Sequence, residues 1–170
     1  MKTVDHISNG RLILGLGAGW FERDYSEYGY DFGTPGSRLA ALEHSLEVIK
    51  HRWEVDVPKP IQSEIPILIG GGGEKKTLRI TAQYANMWHG FGDPETFGHK
   101  VQVLNDWCSQ VGRNPQEIER CVSPARDFDE KTLDEYVKVG TTHFILGMGV
   151  PWDFDSLKRL LQWRDRQQGK

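Results

Sequence analysis

Pro66-Ile67-Leu68-Ile69-Gly70-Gly71-Gly72-Gly73-Glu74-Lys75-Lys76-Thr77 is the stretch on which the fold turns. A short apolar run held between a proline and four glycines reads as a buried strand. The residues after it, Glu74 to Ala85, place Leu78, Ala82 and Ala85 on one face and predict a helix. Strand, glycine turn and helix in succession make one β/α unit. Free N–H groups and the positive end of a helix dipole at such a turn favour a phosphate. The spacing is not that of a P-loop, since no Gly-Lys-Ser/Thr follows, and it is not Gly-x-Gly-x-x-Gly. Lys75 and Lys76 read more simply as a solvated helix face than as ligands.

Outward from this unit the same alternation repeats. Upstream, residues 11–17 form a short apolar strand, followed by a helical stripe of Leu39, Leu42, Leu46, Ile49 and Trp53. Downstream, Asn86 to Phe91 predicts a strand. Asp93-Pro94-Glu95 then supplies an N-cap, a first-turn proline and an acid at the positive end of the dipole. Phe97, Val101, Leu104, Cys108 and Val111 make that helix amphipathic, and Gly112 is placed to stop it. Ile118 to Ser123 is a further strand, although Glu119 and Arg120 interrupt it. Leu133 to Val139 is a helix ending at Gly140, Thr142 to Gly147 a strand, and Asp155 to Arg166 the last helix. Residues 54–63 and 124–132 read as loops. About five β/α units in a row predict an α/β fold with parallel strands covered by helices. Four of the five strands run into glycine: Gly15-Leu16-Gly17-Ala18-Gly19-Trp20, Gly70 to Gly73, Gly90-Phe91-Gly92 and Gly147-Met148-Gly149. Ligands bind at the carboxyl ends of parallel strands, where glycine lets the backbone approach them closely.

Composition narrows the partners. A net charge of -3 gives no electrostatic reason for nucleic acid or an anionic membrane. No apolar run approaches a membrane span, and nothing apolar follows Lys2 as a signal peptide would require. Cys108 and Cys121 lack the pattern of a disulfide framework or a zinc site, which points to a reducing, cytoplasmic setting. Among single residues, His89 near a strand end is a candidate general acid or base. His143 opens the last strand and is expected at its structural end. His44 and His51 share one helix, and the solvated face is the simpler account. Trp53, Trp107, Trp152 and Trp163 are assigned to packing, whereas Trp20 and Trp88 sit beside the glycine turns and face a ligand. Asp127, Asp129 and Glu130 read as a solvated loop, so no metal site is expected.

The glycine blocks carry a resemblance. Asn9 to Trp20, with Tyr25, Gly29, Arg38-Leu39 and Glu43, is similar to the fourth strand and helix of luciferase-like monooxygenases. Pro66 to Lys75, with Leu78, Ala82, Ala85 and Trp88, resembles their fifth unit, and Thr142 to Gly147 their last strand. The wording is closest to the F420-dependent branch. The resemblance implies a (β/α)8 TIM barrel that binds coenzyme F420, or alternatively FMN, at its carboxyl mouth. Carried over by position, Gly17, Ala18, Gly19, Trp20, Gly71, Gly72, Gly73 and Glu74 lie beside the cofactor. The implied function is a flavin- or F420-dependent oxidoreductase performing hydride transfer or monooxygenation on a small organic substrate. Trp20 stands where the sugar-phosphate dehydrogenase branch has a catalytic glutamate, so that chemistry does not transfer. The family's first three units have no counterpart here. The expectation is therefore one domain over residues 1–170, an incomplete barrel and a truncated member of the family. A non-catalytic phosphate-binding remnant is the alternative, or a fragment completed by a partner chain or a second copy.

Overall fold

A computed structural model of the chain describes residues 1–152 and 154–169. Five strands form one sheet in the order β1-β2-β3-β4-β5, and every neighbouring pair is parallel. They are β1 (Leu14–Leu16), β2 (Ile67–Gly70), β3 (Met87–Gly90), β4 (Glu119–Val122) and β5 (His143–Phe144). Between and around them run α1 (Lys2–Ser8), α2 (Glu22–Tyr28), α3 (Pro35–Val55), α4 (Thr77–Tyr84), α5 (Pro94–Gln110), α6 (Glu130–Lys138) and α7 (Phe154–Gln168). Because sequence order equals spatial order, each crossover helix returns the chain to the next strand, as five β/α units in series require.

Strand alternation decides what each residue faces. In β2, Ile67 and Ile69 are buried against Leu42 and Leu46 of α3 and Ile80 of α4. In β3, Trp88 packs with Leu78 and Ala82 of α4 and Phe97, Val101 and Leu104 of α5. Phe144 of β5 meets Trp163 of α7 and Tyr136 of α6 edge-on. Burying each such Leu, Ile or Phe contributes about 1.5–3 kcal/mol. The alternate residues share the opposite, inner face; the register aligns Gly70, His89, Cys121 and His143 across four strands.

Several boundaries differ from those expected, each for a local reason. Glu74 to Lys76 form a turn, and α4 begins only at Thr77. The strand expected over 142–147 pairs only at His143 and Phe144, because β4 offers partners no further than Val122. The helix expected from Leu133 starts three residues earlier, where the Asp129 side chain accepts a hydrogen bond from the Thr132 amide at 2.7 Å. Arg120, which seemed to interrupt its strand, points outward and donates to Asn105 at 3.0 Å and to the Pro115 carbonyl at 2.9 Å. Asp93 caps α5 as expected, accepting from the Thr96 amide at 2.8 Å. Two helices were not anticipated. α2 buries none of its residues, and α1 is fixed by Asp5, whose carboxylate accepts from the Ile61 and Gln62 amides and the Gln62 side chain.

Candidate functional site

The carboxyl ends of β1 and β2 lie side by side. A methyl group added at Gly17 would come within 3.6 Å of the Gly70 carbonyl oxygen. The loops that follow enclose a cleft of about 650 Å³, lined by Gly17, Ala18, Gly19, Trp20, Arg38, Leu39, Gly70, Gly71, Thr77 and Phe91 among others. Five of the eight residues expected beside the cofactor therefore meet in one cavity. Gly72, Gly73 and Glu74 continue the second loop without lining it.

Hydrogen bonding gives the two loops a common polarity. Among the described residues, the amides of Gly17, Ala18, Gly19 and Trp20 find no acceptor, and neither do those of Gly72, Gly73 and Glu74. Three carbonyls of the second loop are consumed instead. Gly71 O accepts from Trp88 Nε1 at 2.8 Å, Gly73 O from the Leu78 amide at 3.0 Å, and Glu74 O from Trp107 Nε1 at 2.7 Å. Gly71 is the exception among the expected amide donors, since its N–H extends the sheet to the His89 carbonyl at 3.2 Å. The first loop thus leaves donors without acceptors in the cleft, and the second carries more just beyond its lining, the arrangement that suits an anion.

Side chains add to this. Arg38, on the first turn of α3, lies over the Phe32 ring at 3.7 Å and donates to the Gly19 carbonyl at 3.2 Å. It thereby sets a permanent cation on the wall of the cleft and braces the first loop. Thr34 and Ser37 hold that end of α3 by reciprocal capping. Two glycines are sterically required. Gly19 has φ +73° and lies against the Tyr25 hydroxyl, so that an added methyl would fall 2.0 Å from it; Gly71 has φ +135°. Arg38 belonged to the family-like block but was not singled out as a site residue; its spacing from Gly19 carries no local signal, and only the fold joins them.

Of the aromatic candidates, Trp20 is 83% exposed at the cleft and touches Phe21, whereas Trp88 is 0% exposed and stacked on Phe97. Trp88 is thus a core residue rather than a ligand contact; even-numbered positions of β3 face the helices. Trp152, assigned above to packing, is 58% exposed. Glu74 faces α5, where Lys100 and His99 pair with its carboxylate, the latter at 3.1 Å. The Lys100 contact first and the His99 contact second hold that carboxyl below its ordinary range.

His89 occupies the inner face of β3. Its Nε2 lies 3.0 Å from Ser123 Oγ, and its ring meets Phe91 edge-on at 4.8 Å. Phe91 is a wall of the cleft, so His89 stands one ring behind it. Burial lowers the His89 pKa and keeps the ring neutral at pH 7. His143 pairs with Glu119 at 2.9 Å, and the strand register sets it in the row of Gly70 and His89 rather than at the structural end expected of it. Asp129 caps a helix and Glu130 pairs with Arg166, so the acidic stretch has structural roles. Among the described residues, no group of three or more His, Cys, Asp or Glu is arranged to hold a metal. No helix among them is long and apolar enough to cross a membrane.

Residues 1–154 match the model of the luciferase-like monooxygenases. The chain belongs to this family. The match runs through both glycine loops and all five strands. The uncharacterized protein Rv0953c of Mycobacterium tuberculosis is 28% identical over 166 residues, covering 87% of this chain and 56% of its own length. A pyrimidine monooxygenase RutA of Methylorubrum populi is 30% identical over 135 residues, covering 66% of this chain and 35% of its own. The chain thus spans between about a third and a little over half the length of the curated relatives it matches. Two solved structures share the fold. An F420-dependent secondary alcohol dehydrogenase, in complex with an F420-acetone adduct, superposes with a TM-score of 0.72 at 15% identity, over 86% of this chain and 66% of that one. The coenzyme F420 dependent tetrahydromethanopterin reductase of Methanopyrus kandleri gives 0.67 at 16%, over 85% and 70%. For a luciferase-like monooxygenase, five consecutive parallel β/α units are an arc of the (β/α)8 barrel.

Proposed function

We propose that this chain holds the phosphate end of a flavin-type cofactor, coenzyme F420 before FMN, in an oxidoreductase acting on a small organic substrate. One observation carries the reading: of two adjacent strand ends, the first presents the unpaired amides of Gly17 to Trp20 in the cleft with Arg38, and the second carries those of Gly72 to Glu74 just beyond its lining. That donor set fits a phosphate, and each charge-assisted hydrogen bond to one is shorter and stronger than a neutral one. The F420-dependent enzymes that share the fold favour the deazaflavin; the likeness to a pyrimidine monooxygenase keeps FMN as the second choice. When bound, the cofactor supplies hydride exchange, or oxygen activation in the case of FMN. The protein's part is positional. The amides and Arg38 would anchor the anion, Trp20 and Phe91 would flank the ring system and exclude water, and neutral His89 would exchange a proton with the substrate through the imidazole that Ser123 orients. Both cysteines are free and buried, as suits a reducing compartment.

Fluorescence titration of the 170-residue chain with F420 and with FMN tests this. Binding in the micromolar range to one of them is expected, with about tenfold weaker affinity for Arg38→Ala, the equivalent of one charged contact. Absence of binding to both at high micromolar concentration would overturn the reading. Unchanged affinity in Arg38→Ala would remove that residue from the site.

A further inference from the structure

We propose that Glu74 is a positioning residue: clamped by Lys100, His99 and Trp107 of α5, it fixes residues 71–76 so that the carbonyls of Gly71, Gly73 and Glu74 are consumed and the amides of Gly72, Gly73 and Glu74 remain for an anion. The inference rests on the cofactor reading above and assigns a role that the family position of Glu74 does not, since that position implies a contact with the cofactor itself.

A carboxylate on a residue whose own amide belongs to a phosphate cradle is at first sight a liability. Its field opposes the anion that the amides attract. Here that charge is matched on the side away from the cleft. Lys100 Nζ and His99 Nε2 both meet Glu74 Oε1, and Glu74 does not line the cavity. Lys100 also runs close beneath the loop, with its Cε 3.9 Å from where a methyl group on Gly72 would stand. An exposed ion pair alone contributes little to stability. What distinguishes this one is that the same residue is held twice, because its backbone carbonyl accepts from the Trp107 indole, two turns beyond Lys100 on the same face of α5. The chain before it is pinned at Gly71, between the His89 carbonyl and the Trp88 indole, and Gly73 is pinned by Leu78. Three successive fastenings therefore use acceptors, and none uses the amides of Gly72, Gly73 or Glu74. With the clamp released, these glycines have the greatest backbone freedom of any residues, and the alignment of the donors would have to be recovered at the moment of binding.

The test opposes charge to position. If Glu74 acts only through its field, Glu74→Gln should bind FMN, F420 and inorganic phosphate more tightly than the parent chain. If it is a clamp, the same variant should bind them about fivefold to tenfold more weakly, and exchange with solvent of the Gly71 and Leu78 amides, whose hydrogen bonds fasten the loop, should quicken by a similar factor in NMR while α5 and α7 are unchanged. Lys100→Glu should behave likewise. The double variant Glu74→Lys/Lys100→Glu keeps the net charge and restores the pair, so recovery of both affinity and slow exchange is expected. Tighter or equal binding with unaltered exchange in Glu74→Gln would overturn the clamp while leaving the cofactor reading intact. A parent chain that binds none of the three probes would overturn the cofactor reading and the role of the clamp with it, even if Glu74→Gln exchanged faster.

Discussion

At the scale of single residues, the site depends on a few atoms that tolerate no replacement. Gly19 combines a positive φ with the Tyr25 hydroxyl where a Cβ would sit. Gly19→Ala should therefore cost about 1–3 kcal/mol in chemical denaturation, and should weaken cofactor binding because the Arg38 contact to its carbonyl is disturbed. His89 makes a second prediction. Burial lowers its pKa, so the unfolded chain takes up a proton that the folded chain refuses. The stability linked to His89 is complete above the ordinary histidine value near 6.5 and declines as the pH falls below it. His89→Gln should flatten that part of the stability–pH curve, read by urea midpoints from pH 7.5 to about 5. An unchanged curve would mean that another group governs acid sensitivity in this range.

Elements show how far the sequence was legible and where it ceased to be. The strand–glycine–helix units, the Asp93 cap and the outer stripe of α5 could be read in advance, because each is written within one turn or one alternation of the chain. α2 could not: with no buried residue it has no apolar period, and it is held by Tyr25 against Phe32 and by the αL glycine at its end. The start of α4 was misread because Glu74 resembles a first-turn acid, whereas its partners, His99 and Lys100, lie on α5, 25 and 26 residues away. The two site residues that sequence missed or misplaced, Arg38 and Trp88, illustrate the same limit. Their roles depend on which face meets which loop. Element-scale reasoning also predicts that removing the Thr34 hydroxyl, in Thr34→Ala, costs about 1 kcal/mol through loss of the α3 cap. Thermal melting should show a modest drop together with weaker cofactor binding, since Arg38 sits on that first turn.

At the scale of the whole molecule, the sheet has one neighbour for β1 and one for β5 among the described residues, and its inner face is incompletely covered. Ile13 is 47% and Ile145 36% exposed on that side. Parallel strands with open edges and apolar flanks invite association. The 170-residue chain is expected to self-associate at micromolar concentration, and Ile13→Lys with Ile145→Lys should shift sedimentation toward the monomer. A monodisperse parent chain would show that these edges are already protected. Five units in series also explain why the cleft forms here: both of its loops follow adjacent strands.

The indole of Trp88 has a consequence of its own. It is sealed in the core at one end and bonded to the Gly71 carbonyl at the other. Its N–H resonance is therefore a built-in gauge of the loop. Any ligand that draws on the Gly71–Gly72 peptide will change the strength of that bond and move the signal, from a position no ligand can reach directly.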